Sequence, residues 1–154
     1  DETYVGGRGG NNKRGRGAEN KTPVFGMVER KGHIVTKVTA DTKKKTVMPL
    51  IREHVKIESQ VMTDEYKPYH TLNKRGYTHK TVRHGAKEYV RGNVHVNTLE
   101  GYWSQLKRSI DGTFHAVSPK YLQSYVDEFS WRYNHRASSV PLFSLILSAV
   151  VKQS

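Results

Sequence analysis

Three carboxylates fall at positions from which a single pocket could gather them. Asp1 opens a β-rich stretch, Asp64 closes another, and Glu100 sits in the first turn of a helical pattern. Carboxylates brought together repel one another, which raises their pKa values unless a cation lies between them. Hard oxygens with open coordination positions suit Mg²⁺ or Mn²⁺. Two such ions about 3.5–4 Å apart can assist an in-line phosphoryl transfer, which needs no covalent intermediate. A chain with 14 acidic residues contains many such triples, so spacing alone does not separate this set from ordinary surface charge.

Other side chains add to the candidate site. Lys107 follows Glu100 by seven residues, two turns on and about 10.5 Å along the same helix face. That is too far for an ion pair but suits a phosphate contact; a solvated lysine is the competing reading, and Arg108 beside it is a weaker candidate. Gly6 to Gly17 (GGRGGNNKRGRG) holds six glycines, four basic residues and no acid. Arg8, Lys13, Arg14 and Arg16 in it belong either to a mobile connection or to a DNA-contacting arm that orders on binding. Tyr102 and Trp103 could stack on a base, although their spacing with Leu106 favours core packing. Asn97 or Thr98 suits a helix cap, and His95 could position water, phosphate or the helix start. Strand alternation turns Glu2 away from Asp1, so Glu2 and Glu65 are left outside the set. Eight scattered histidines without cysteine form no zinc motif.

The elements that must position these groups come from a chain of 154 residues, enough for one domain with a real core. Lys and Arg outnumber Asp and Glu by 26 to 14, a net charge of +12 that favours a polyanion, because each neutralised phosphate releases a counterion. The basic residues are spread along the chain rather than gathered on one amphipathic helix, which argues against a membrane surface. The absence of cysteine excludes disulfides and thiolate chemistry. With no spanning segment and no signal-like start, the expected setting is soluble, intracellular and cytoplasmic, associated with the nucleoid when on DNA.

Asp1 to Val5 reads as a strand, and Pro23 to Arg30 and His33 to Ala40 as a hairpin turning at Lys31-Gly32. A helix is expected to start near Thr46 to Met48, because Pro49 is best tolerated in a first turn. Gln60 to Thr63 reads as a strand, Tyr66 to Arg75 as a helix closed by Gly76, and Thr78 to Arg83 as another strand. Helices follow over about Thr98 to Ile110 and Pro119 to Tyr133, with Leu122, Val126, Phe129 and Tyr133 inward, and an apolar helix over Pro141 to Val151 should cover core. This order predicts an α/β fold, a mixed sheet flanked by helices. A right-handed crossover would bring Asp64 to a strand end beside the first strand.

The blocks DETYVGG (Asp1 to Gly7), VMTDEYKPY (Val61 to Tyr69) and HVNTLEGYWSQLKR (His95 to Arg108) resemble the three motif blocks of ISXO-two-like, Merlin-related insertion-sequence transposases. KRGRGAENKTPVFGMVER, GYTHKTVRH, Gly112-Thr113 and YVDEFSWRYNHR resemble the intervening blocks in the same order, so the resemblance runs from Asp1 to about Arg136. It implies a ribonuclease-H-like DDE transposase core, with the Asp1 strand central in the sheet and Asp64 on its neighbour. Asp1, Asp64 and Glu100 would be catalytic and bind metal, two Mg²⁺ (or Mn²⁺) ions, and Lys107 would contact DNA. The expected partners are transposon ends and target DNA, with a homo-oligomer on DNA, no membrane and no small-molecule substrate. Related transposases continue upstream of this aspartate, so the chain is expected to be a single N-terminally truncated catalytic domain over residues 1–154. Two other readings remain: a transposase-derived DNA-binding protein that no longer cuts, and a ribonuclease-H-like nuclease without strand transfer.

Overall fold

A computed structural model describes residues 1–6, 21–82, 90–91, 94–95, 97–114 and 117–153. Strand β1 (Glu2–Val5) pairs antiparallel with β2 (Thr22–Val28), and β2 with β3 (Ile34–Val38), giving a three-stranded sheet in the order β1-β2-β3. The register sets Glu2 against Phe25 and Val24 against Val38. Helix α1 (Lys44–His54) leads to β4 (Gln60–Thr63), which pairs in parallel with β5 (Thr78–Thr81). A small antiparallel pair, β6 (Val90–Arg91) and β7 (Val94–His95), precedes α2 (Asn97–Ser109), and α3 (Pro119–Asn134) and α4 (Leu142–Gln153) follow. The fold is thus a mixed α/β arrangement of helices and small sheets.

Alternation along β2 sends adjacent residues to opposite faces, and each face has its own core. Val24, with Val5 and Ile34, packs against Leu99, Tyr102, Trp103, Leu106 and Ile110 of the α2 region and against Leu122 and Val126 of α3. Phe25 packs on the other side with Val47, Met48 and Ile51 of α1 and with Tyr69, Leu72 and Tyr77. Side-chain hydrogen bonds fasten α3 to β3: Asn134 accepts from the Ile34 N–H at 2.7 Å and donates to its carbonyl at 3.0 Å, and Gln123 accepts from the Val38 N–H at 2.7 Å. Each satisfies backbone groups on the sheet's outer edge, which would otherwise lose their partners on burial.

Several expectations are corrected. The β1 strand is not central: among the described residues it pairs only with β2, and β4 only with β5. Gly26 N–H also donates to the Asp1 carbonyl at 2.9 Å. A cavity of about 340 Å³ is lined by Asp1, Met27 and Val28 together with Val61, Met62 and Thr63. The hairpin turns through three residues rather than two, with Glu29 N–H bonded to the His33 carbonyl and Lys31 at φ 58°. Helix α1 starts at Lys44, earlier than expected, because Asp41 accepts from both Lys43 N–H and Thr46 Oγ1 and organises the first turn, leaving Pro49 inside the helix. The expected helix over Tyr66 to Arg75 is two 3₁₀ turns, Lys67–Thr71 and Asn73–Arg75, closed by Gly76 at φ 89°. Helix α4 forms but leaves Phe143, Ile146, Leu147, Val150 and Val151 exposed, where it was expected to cover core.

Candidate carboxylate centre

The two sheet fragments bring the first and second carboxylates together. Asp1 is tied down by Gly26 on its backbone and by Trp103, whose indole N–H donates to Asp1 Oδ2 at 3.0 Å. Asp64 follows the last residue of β4, and its Oδ1 accepts from the Tyr66 N–H at 3.0 Å in an Asx turn. Thr63 Oγ1 donates to the Asp64 carbonyl at 2.7 Å. A hydroxyl has one hydrogen, so His79 Nε2, 2.8 Å from the same oxygen, must be the donor in that contact. Tyr66, Thr42 and Tyr4 link their hydroxyls at 3.2 Å each, joining the turn after Asp64 to β1.

Asp1, Asp64 and Lys107 line one cavity of about 580 Å³, together with Glu2, Thr3, Tyr4 and Lys21. Its wall is acidic at one set of positions and basic at another. The Lys107 ammonium has its pKa lowered, first by desolvation and then by Lys21, with Asp111 opposing. Burial, followed by repulsion from His70, lowers the pKa of His79.

Glu100 is not on this wall. It is exposed on α2, because Leu99, Tyr102, Trp103 and Leu106 take the stripe facing the sheet. Among the described residues no three of His, Asp or Glu gather closely enough to hold a metal ion. Asp1 and Asp64 nevertheless offer hard oxygens to one cavity, and Mg²⁺ is commonly held by one or two carboxylates with water or phosphate oxygens completing its shell. A carboxylate has about four lone-pair sites, so the hydrogen bonds from Trp103 and Tyr66 are compatible with that use.

Arg108 is exposed and turns its Nε to the Ser104 carbonyl at 3.3 Å. Arg8, Lys13, Arg14 and Arg16, and the side chains of His95 and Asn97, lie outside the described residues. Tyr102 and Trp103 are buried, as their helical spacing predicts. Glu2 and Lys21, which the sequence reading did not nominate, also line the cavity. Glu2 does alternate away from Asp1, bonding Tyr69 Oη at 2.7 Å, but β1 is an edge strand and the cavity reaches both of its faces. Nothing in the sequence marks Lys21 out from the other basic residues.

Comparison with known proteins bears on this geometry. The ISXO2-like transposase domain profile matches residues 1–134. An "uncharacterized transposase-like protein" of Haemophilus influenzae is 27% identical over 121 residues, covering 79% of this chain and 95% of the relative. An "uncharacterized protein in transposable element ISH50" of Halobacterium salinarum is 33% identical over 125 residues, covering 77% of this chain and 42% of the relative, so the chain spans less than half of that protein. No solved structure matches with significance. A profile match over residues 1–134 covers most of the chain: the chain belongs to the ISXO2-like transposase domain family.

Proposed function

We propose that this chain is the catalytic core of a DNA transposase, a single ribonuclease-H-like unit that cleaves DNA at the end of a mobile element and joins the freed 3′-hydroxyl to target DNA. Family membership already implies DNA as the partner. The observation that carries the catalytic reading is that Asp1, Asp64 and Lys107, remote in sequence, line one cavity. Asp1 and Asp64 would hold divalent metal, Mg²⁺ or Mn²⁺ and two ions in the full assembly. Glu100, in the first turn of the helix whose Trp103 contacts Asp1, would be the third ligand. When bound, the ions supply Lewis acidity to the attacking and leaving oxygens. Lys107, with Lys21 near it, would hold a phosphate of the reacting strand and so align it. The order β3-β2-β1, a helical crossover, then the parallel pair β4-β5, with carboxylates at the adjoining tips, supports the ribonuclease-H-like assignment. Both element ends must be held during joining, so the working unit is proposed to be a homo-oligomer on DNA.

The test uses labelled element-end DNA with Mg²⁺ and variants Asp64→Asn and Glu100→Gln. Both should abolish nicking and joining while leaving DNA affinity, and its steep fall with salt, in place. Nicking that persists in Asp64→Asn would overturn the assignment. The position of Glu100 off the cavity wall favours a second reading, a transposase-derived protein that binds DNA without cutting. Salt-sensitive binding with no metal-dependent nicking in the parent chain would select it.

A further inference from the structure

We propose that Trp103 is a positioning residue of the carboxylate centre, its indole N–H fixing one oxygen of Asp1 so that the other is presented to the cavity shared with Asp64 and Lys107. This rests on the reading above, that Asp1 and Asp64 hold divalent metal.

Trp103 joins the two elements that carry the candidate site. Its N–H donates to Asp1 Oδ2 at 3.0 Å, a contact between residues 102 apart in sequence that ties the start of β1 to α2. An indole N–H donates and cannot accept, so this bond suits the ionised carboxylate and restrains its rotation about the Cβ–Cγ bond. The ring itself is held firmly. It is 5% exposed, meets the Tyr102 ring edge-on at 5.2 Å between centroids, and lies against the Cα of Gly26, where an added Cβ would come within 2.5 Å of Trp103 Cζ2. Gly26 is also the residue whose backbone pairs with Asp1, so the carboxylate's backbone and its hydrogen-bond donor are referenced to the same point on β2.

The same ring sets the helix. Trp103 and Lys107 fall at i and i+4 on α2, neighbours one turn apart on the helix. Docking Trp103 on Gly26 and Asp1 therefore fixes both the rotation of α2 and its position along its axis, which is what puts Lys107 on the cavity wall. A tryptophan serving only to fill the core would need its ring shape but not this particular acceptor. Hydrogen bonds to metal-ligating carboxylates typically change metal affinity by about 10–100-fold when removed.

The experiment separates ring from donor. Trp103 is replaced by phenylalanine and, separately, by the benzothienyl analogue of tryptophan, in which sulfur replaces the N–H while the ring shape is kept. Mn²⁺ binding to the full chain without DNA is measured by titration calorimetry and by the loss of the free-ion electron spin resonance signal, with thermal melting as the check on folding. In the benzothienyl chain, melting should match the parent while the Mn²⁺ Kd rises by about 10–100-fold. The Trp103→Phe chain should show at least as large a rise. Parent-like Mn²⁺ affinity in the benzothienyl chain, with Asp64→Asn binding weakly, would overturn the role of Trp103 and leave the metal reading standing. A parent chain that binds no Mn²⁺, or an Asp64→Asn chain that binds it as well as the parent, would overturn both.

Discussion

Gly26 should not tolerate even one methyl group. A Cβ there would sit 2.5 and 2.7 Å from Cζ2 and Cη2 of Trp103 and 3.1 Å from Cδ2 of Leu99. Carbon pairs are most favourable at about 3.5–4.0 Å, so α2 and β2 must separate by roughly 1 Å or the indole must leave its rotamer. Overpacking of this kind costs about 1–3 kcal/mol. Removing a glycine also narrows the unfolded ensemble, which returns about 0.4–1 kcal/mol. The net loss for Gly26→Ala is then on the order of 1–2 kcal/mol, or about 2–8 °C in Tm for a domain of this size. Thermal unfolding followed by near-ultraviolet circular dichroism reads it directly. The cause can be isolated by repeating the substitution in a Trp103→Phe background, where the two offending ring atoms are absent. Gly26→Ala should cost less there, with a coupling of at least about 0.5 kcal/mol. A Gly26→Ala chain melting within about 1 °C of its parent in both backgrounds would refute the claim that the ring is seated on this glycine.

Three further outcomes are expected. The pKa of His79 is lowered by burial, so between its folded-state pKa and 6.5 the unfolded chain binds the extra proton; stability should fall as pH drops through that window, and His79→Gln should flatten the dependence in denaturant titrations at pH 5–8. Ser130 Oγ bonds Tyr102 Oη at 2.8 Å and also Thr36 Oγ1, all three residues being buried; Ser130→Ala should cost about 1–3 kcal/mol in urea unfolding, because polar atoms lose a partner away from water. Lys107→Ala should shift stability by less than about 0.5 kcal/mol yet slow joining at saturating DNA, and equal joining rates would make Lys107 an ordinary solvated lysine.

Much of the local structure was legible in residue order. The strand Gln60–Thr63 stands as expected, because a short β-rich run between turn residues has few alternatives, and α2 and α3 follow from apolar residues at helical spacing. The burial of Trp103 was likewise visible in its spacing with Leu99 and Leu106. The 3₁₀ turns after Asp64 were not, since Tyr69 and Leu72 bond three residues back where a helix would bond four, a choice made by packing against α1 rather than by propensity. Nor was the exposure of α4, because an apolar helix has the same sequence whether or not another element covers it. For the site, residue types and family resemblance nominated Asp1, Asp64, Glu100 and Lys107. Tertiary structure alone decided that Asp1, Asp64 and Lys107 share a cavity, that Glu2 and Lys21 join them, and that Glu100 lies outside it. Periodicity says which way a side chain leaves its own element, whereas distances between elements depend on how two cores, one on each face of β2, pull α1 and α2 onto the sheet.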